Sequence, residues 1–200
     1  MKKRRHLTPK QICAQCNAIA REKRMAERTP WTAMGIMCAY ILMKVEGFKG
    51  KRISKIINRV NEIEEQWRNG EIDLEELNRR LFDKCGFSFE PKVYDDNDIK
   101  EKKGSYRYWL QQKEIEPGNI INETAMRYYT FFYTALIEEY KLGNKKLKRI
   151  YDYNDNLLLE YEKDRTSLHE WEKELEEEAG LAIEMPIDPL TQTQGSIMTG

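Results

Sequence analysis

Between residues 31 and 43 the chain carries no charge, and apolar residues fall on every side of a helical wheel drawn over that stretch. A helix that is apolar all round has no face to give to water and must be enclosed by other elements. Thr29 and Pro30 read as an N-cap and first helical position, because proline has no N–H to waste there. Gly47 supplies the stop. The resulting helix, residues 30–46, falls short of the roughly 20 apolar residues that a bilayer span needs. It predicts the central helix of an all-α, multi-helix bundle with no membrane span.

The segments around it carry helical signals of their own. Ile53, Ile56, Ile57, Val60, Ile63 and Trp67 recur at three-and-four spacing over 51–67. Asp73 with Glu76 opens a helix through Leu74, Leu77, Leu81 and Phe82 that stops at Gly86. Thr8, Pro9 and Gln11 open an earlier one, 9–28, with Ile12, Cys16, Ile19 and Ala20 on one face. Residues 87–104 form a charged, Pro-containing boundary that could hold a short strand. Helix returns over 105–115, and Pro117-Gly118 ends it. Asn122 then caps an aromatic-rich helix running to Gly143. From 144 to 178 the pattern is a charged helix or a pair with a break near Arg165, where Ser167 and Glu170 form a further capping box. The expected division is a basic N-terminal helical subdomain, 1–86, an aromatic and acidic C-terminal one, 98–180, and an extended arm, 181–200. Two prolines and a Thr/Gln/Gly run cannot give that arm a packed core of its own. Trp31, Ile36, Tyr40, Ile41, Phe132 and Leu136 are expected among the most buried side chains.

The chain is neutral as a whole, with 34 basic and 34 acidic residues, but its charge is segregated. Residues 1–60 hold 15 Lys and Arg against Glu22, Glu27 and Glu46, while residues 151–180 hold 11 acids against Lys163, Arg165 and Lys173. Such asymmetry predicts a surface for a polyanion or two ends that attract each other. On helix 51–67, Lys51, Arg52, Lys55, Asn58 and Arg59 occupy the face opposite the isoleucines. A helix bearing Lys, Arg and Asn after a Gly-containing four-residue turn has the layout of a helix-turn-helix reader. The helix before it is longer and more apolar than that motif's positioning helix, and a solvated basic face explains the same residues. Tyr106, Tyr108 and Trp109 beside Lys103 and Arg107 could stack bases, or simply fill a core.

The acidic end invites a different reading. Leu157, Tyr161, Leu168, Trp171 and Leu175 fall on heptad positions and offer a seam for self-association. Glu176, Glu177 and Glu178 crowd a helix C-terminus, where the macrodipole prefers cations. A basic surface of a second copy would relieve them, and so would the chain's own basic half.

Catalytic chemistry has little to build on. Cys13-x-x-Cys16 has a metal-like spacing, but a structural zinc site takes four ligands, usually from two such pairs. Only His6, Cys38 and Cys85 remain, so no metal and no cofactor are expected. The Lys-Lys-Arg-Arg start is followed by polar residues rather than the apolar core of a secretory signal, which predicts a cytoplasmic chain with free thiols. Glu62-x-x-Glu65 resembles the first half of the acidic motif in helical nucleoside-triphosphate pyrophosphohydrolases, but the Glu-x-x-Asp second half is absent downstream. Neither His6 nor His169 pairs with a nucleophile in a recognisable setting, and there is no glycine-rich phosphate loop. A non-enzymatic protein is expected.

In texture the chain resembles the small uncharacterised helical proteins encoded by phages and prophages of Gram-positive bacteria. The likeness lies in Lys/Glu/Asn/Ile-rich helices such as KRISKIINRVNEIEEQW and in the tail MPIDPLTQTQGSIMTG. It covers most of the chain and transfers no active site. It implies a protein of the host cytoplasm that binds a host protein or itself, as an inhibitor, scaffold or assembly factor. A DNA- or RNA-binding regulator using the basic N-terminal half is the alternative. Sequestration of a small anionic ligand is the third reading.

Overall fold

The computed structural model describes residues 30–91, 93–101, 103–163 and 167–183. The predicted helix 9–28 with Cys13 and Cys16, the break at Arg165 and the arm beyond residue 183 lie outside the described residues. The elements are α1 (residues 30–46), α2 (Gly50–Arg68), α3 (Leu74–Cys85), α4 (Tyr106–Tyr140), α5 (Asn144–Lys163) and α6 (Ser167–Glu174). A 3-10 turn spans Asp96–Asp98, and α6 runs on into a single π turn, Leu175–Ala179. Among the described residues there is no strand, so the fold is all-α.

α1 is enclosed as its composition requires: every residue from 33 to 43 is buried. Its main partner is the aromatic part of α4, where every residue from 128 to 136 is buried. The Tyr128 side chain reaches across to α1 at Gly35, where an added Cβ would lie 3.2 Å from its hydroxyl. Trp31 packs edge-on against Tyr128 and Phe131 at the end of this contact and stays half-buried, whereas Ile36, Tyr40, Ile41, Phe132 and Leu136 are buried as expected. Two threonines sit inside α4 without leaving orphan hydroxyls. Thr130 and Thr134 donate to the carbonyls of Met126 and Thr130, four residues back.

Around this pair, α2 and α3 pack on α4, α3 also touches α5, and α5 touches α6. α2 contributes Ile53, Ile56, Val60 and Ile63 to the core, α5 contributes Leu147, Ile150 and Leu157, and α6 contributes Leu168 and Trp171. These residues form one hydrophobic cluster with those of α1 and α4. α3 keeps the caps its sequence signalled: Asp73 accepts from the Glu75 N–H, and Gly86 closes the helix at φ 77°.

The break at Pro117-Gly118 is not there. α4 runs unbroken through both residues, although Pro117 contributes no N–H and its ring crowds the carbonyl one turn back. Tertiary contacts on either side of the proline supply what local propensity lacks. Gln112 donates to the Asp96 carboxylate at 3.2 Å, and Asn119 holds Tyr94.

The Tyr94 contact belongs to an extended strap, described at residues 87–91 and 93–95, in the place where a short strand was considered. The strap is fastened by two asparagine side chains acting as stand-ins for a neighbouring backbone. Asn119 accepts from the Tyr94 N–H at 2.7 Å and donates to its carbonyl at 2.8 Å. Asn78 on α3 does the same for Phe89, accepting from its N–H at 2.9 Å and donating to its carbonyl. A backbone segment that would otherwise lack partners is thus satisfied without a sheet. Phe87 and Phe89 then cover Tyr129, Tyr133 and Tyr151.

Candidate functional site

The turn between α1 and α2 is short and sharply set. Gly47, at φ 62°, ends α1, and the N–H groups of Gly47 and Phe48 bond back to the carbonyls of Met43 and Leu42. Phe48 is buried and fixes the direction in which α2 leaves. α2 then begins with no side-chain cap at Lys49 and no acid in its first turn. The positive end of its macrodipole is therefore not offset by its own residues.

At this end of α2 lies an open groove of about 960 Å³ lined by Lys49, Lys51, Arg52, Ser54, Lys55 and Asn58, with Gly47 and Gly50 at its floor and Ala179 and Gly180 as its far wall. The structure thus gathers four of the five residues singled out on this helix, Lys51, Arg52, Lys55 and Asn58, onto one surface. The fifth, Arg59, is withdrawn from it. Its Nε and Nη2 both reach Glu138 at 2.8 Å, and its Nη1 reaches Glu62 at 2.8 Å, so it ties α2 to α4. Those carboxylates hold the guanidinium charged and push its pKa up, the Glu62 hydrogen bond first.

The other cations are committed to different degrees. Lys55 pairs with Glu139 and lies 5.8 Å from the Tyr140 ring, and its pKa is raised chiefly by the Glu139 hydrogen bond. Arg52 lies 5.5 Å from the Phe48 ring, a cation–π contact that leaves its exposed guanidinium directed at solvent. Lys51 and Asn58 are exposed.

Sequence reasoning missed one member of this surface, Lys49, the neighbouring Lys44, and the wall opposite them. Lys44 Nζ meets Glu174 at 2.6 Å and Glu178 at 3.0 Å. Lys49 Nζ donates to the Glu178 carbonyl at 3.0 Å, and Tyr40 donates its hydroxyl to Glu174 at 3.1 Å. Lys44 is pushed above the ordinary lysine range by the Glu174 hydrogen bond, while Lys44 holds the Glu174 carboxyl below its ordinary range. Burial, and then Glu174, push Tyr40 up to about 12. The backbone is equally close: a Cβ on Gly50 would lie 2.6 Å from the Ala179 carbonyl oxygen. The signal for this contact was in the sequence as opposite charge at the two ends, without the register.

The heptad residues are used within the chain. Leu157, Leu168, Trp171 and Leu175 are buried, and Trp171 stacks on Tyr40 at 5.6 Å. Trp171 ties α6 to α1, and all four side chains belong to the chain's own hydrophobic cluster, which closes the seam drawn through them as a self-association surface. The Tyr161 side chain lies outside the described residues. Of the three acids crowding the helix end, Glu178 meets Lys44 on α1, the intramolecular one of the two arrangements foreseen, while Glu177 pairs with Lys173 four residues back. Of the aromatic group near residue 108, Tyr108 is buried and serves packing, and the side chains of Tyr106 and Trp109 lie outside the described residues. Glu62 and Glu64 pair with Arg59 and Arg68 on their own helix.

Cys38 is fully buried, and burial raises its thiol pKa well above the ordinary value; Cys85 is raised for the same reason. Neither has the lowered pKa of a reactive thiol. Among the described residues no group of three His, Cys, Asp or Glu side chains is placed to hold a metal ion, and no helix is long and apolar enough to cross a membrane. Comparison with protein-family models, with curated proteins and with solved structures finds no match for this chain.

Proposed function

We propose that this is a non-enzymatic binding protein, of the phage-encoded kind its sequence resembles, whose contact surface is the basic groove at the start of α2 and whose ligand is the phosphate backbone of a nucleic acid. One observation carries the reading: Lys51 and Arg52 stand exposed in a groove that Lys49 and Lys55 also line, with no carboxylate among the lining residues. Phosphates brought there would meet several cations and the uncapped N-terminus of α2, which favours anions further. The nine Lys and Arg among residues 1–29 add to the attraction at long range.

The test is a titration of a short fluorescent DNA duplex, read by anisotropy at about 50 mM and about 200 mM NaCl. Replacing Lys51 and Arg52 by Gln is expected to weaken binding and to flatten the salt slope by roughly 0.9 for each phosphate that the variant leaves unneutralised. Binding that survives this substitution with unchanged affinity and slope overturns the reading.

A further inference from the structure

The far wall of the basic groove is the end of the chain's own last helix, whose oxygens reach one groove lysine, Lys49, and its neighbour Lys44. We infer that this end, Glu174 to Gly180, is an intramolecular clamp that competes with a polyanion for the groove. The inference rests on the nucleic-acid reading above and adds regulation to it.

The first support is chemical mimicry. Glu178 offers its backbone carbonyl to Lys49, a groove lysine, and its carboxylate to Lys44 one turn before the groove. Glu174 offers a second carboxylate to Lys44. Carbonyl and carboxylate oxygens thus sit on two of the cations flanking α2's first turn. The second support is dipolar. The C-terminal, negative end of the π turn abuts the uncapped, positive end of α2, with the Ala179 carbonyl against Gly50. Each helix end meets there the charge that its own sequence fails to provide.

The third support is that the clamp can open without unfolding the helix that carries it. Trp171 and Leu175 are buried and hold α6 in place, whereas the Lys44, Glu174 and Glu178 side chains are 30%, 39% and 48% exposed. Exposed ion pairs of this kind contribute only about 0–1 kcal/mol each, because water and salt compete for them. The carbonyls beyond Leu175 are bonded as a π turn ending in left-handed Gly180, a bonding pattern less regular than the α-helix before it. Glu178 therefore sits on a turn that releases at lower cost than the core, and Glu174 sits at the end of α6 where that turn begins.

The experiment uses the full chain and the same duplex titration. Glu174→Gln with Glu178→Gln removes the clamp charges while conserving shape. Glu176→Gln with Glu177→Gln removes the same net charge from side chains that touch neither Lys44 nor Lys49. The clamp variant is expected to bind about tenfold tighter than wild type, within the range of ordinary coupling between sites. The control pair is expected to change affinity by less than about twofold, since screening limits the reach of exposed charges. Adding Lys51→Gln and Arg52→Gln to the clamp variant should abolish the gain. Equal tightening by both acidic pairs makes the effect one of net charge and overturns the clamp while leaving the groove reading intact. Unchanged affinity in the clamp variant does the same. No binding by wild type and clamp variant alike overturns both.

Discussion

Ile41 and Lys44 lie about one turn apart on α1, and they meet the rest of the chain in different ways. Ile41 is fully buried in the cluster that joins α1 to the neighbouring helices, and its contact is made of excluded water and close packing. Lys44 reaches Glu174 and Glu178 through charge, at the edge of the same bundle, with 30% of its side chain still exposed. A contact made by area is released only by unfolding. A contact made by exposed charge can be exchanged for another anion while the fold stands. The first kind makes this chain one body, and the second leaves a surface whose occupant can change.

The largest expected effect breaks the first kind of contact. Ile41→Ala should cost about 2–5 kcal/mol, because it removes buried methyl groups and leaves a cavity between packed helices. Lys44→Gln should cost less than about 1 kcal/mol, both variants being compared with wild type by urea titration. Similar costs for the two would dissolve the distinction on which the clamp depends.

A contact of intermediate kind lies in the strap. Asn78 satisfies both backbone groups of Phe89, and removing it strands an N–H and a carbonyl that are only part-buried. Asn78→Ala is expected to cost about 1–3 kcal/mol, the range for leaving hydrogen-bonding groups without partners. Amide exchange should accelerate at Phe89 before it does in α1. A drop in protection spread evenly over the molecule would mean that the strap is part of the core rather than fastened to it.

These three contacts were not equally legible in the sequence. The α1 core was plain, because a charge-free stretch from Trp31 to Met43, too short for a bilayer span, has no place but the interior. The isoleucine face of α2 and the Asp73-to-Gly86 helix were plain for the same local reason: period and caps lie within a few residues of one another. Pro117 misled, since its local effect is to break a helix, and the Gln112 and Asn119 contacts that carry α4 through it come from the 3-10 turn and the strap before it, some twenty residues away. The basic face was half legible. Its composition announced a charged surface, but which cations are tied down depends on Glu138, Glu139 and Glu178, and no periodicity in α2 encodes their positions. Helix faces follow from local sequence, whereas ion-pair partners follow from packing.

The smallest effect tests the charged contact by pH. The Lys44 hydrogen bond first of all holds the Glu174 carboxyl below its ordinary value; burial opposes it, and the Tyr40 hydrogen bond adds a smaller lowering. A carboxyl lowered in the folded state adds stability above its unfolded value, and that stability is lost as pH falls through the folded one. The alkaline side cannot isolate this contact. Burial raises Tyr128, Tyr129 and Tyr133 as well as Tyr40, so the unfolded chain ionises its tyrosines first and stability falls with rising pH for core and clamp together. The acid side separates them once wild type is compared with Glu174→Gln, because the variant has no proton to take up at that position. Urea stability measured from neutral pH downward should show wild type ahead at pH 7. Its lead should disappear as the pH drops below the ordinary glutamate value of 4.5. Curves that stay parallel to the acid end would mean that Glu174 makes no charge-dependent contact with Lys44 in solution, and the clamp would lose its anchor.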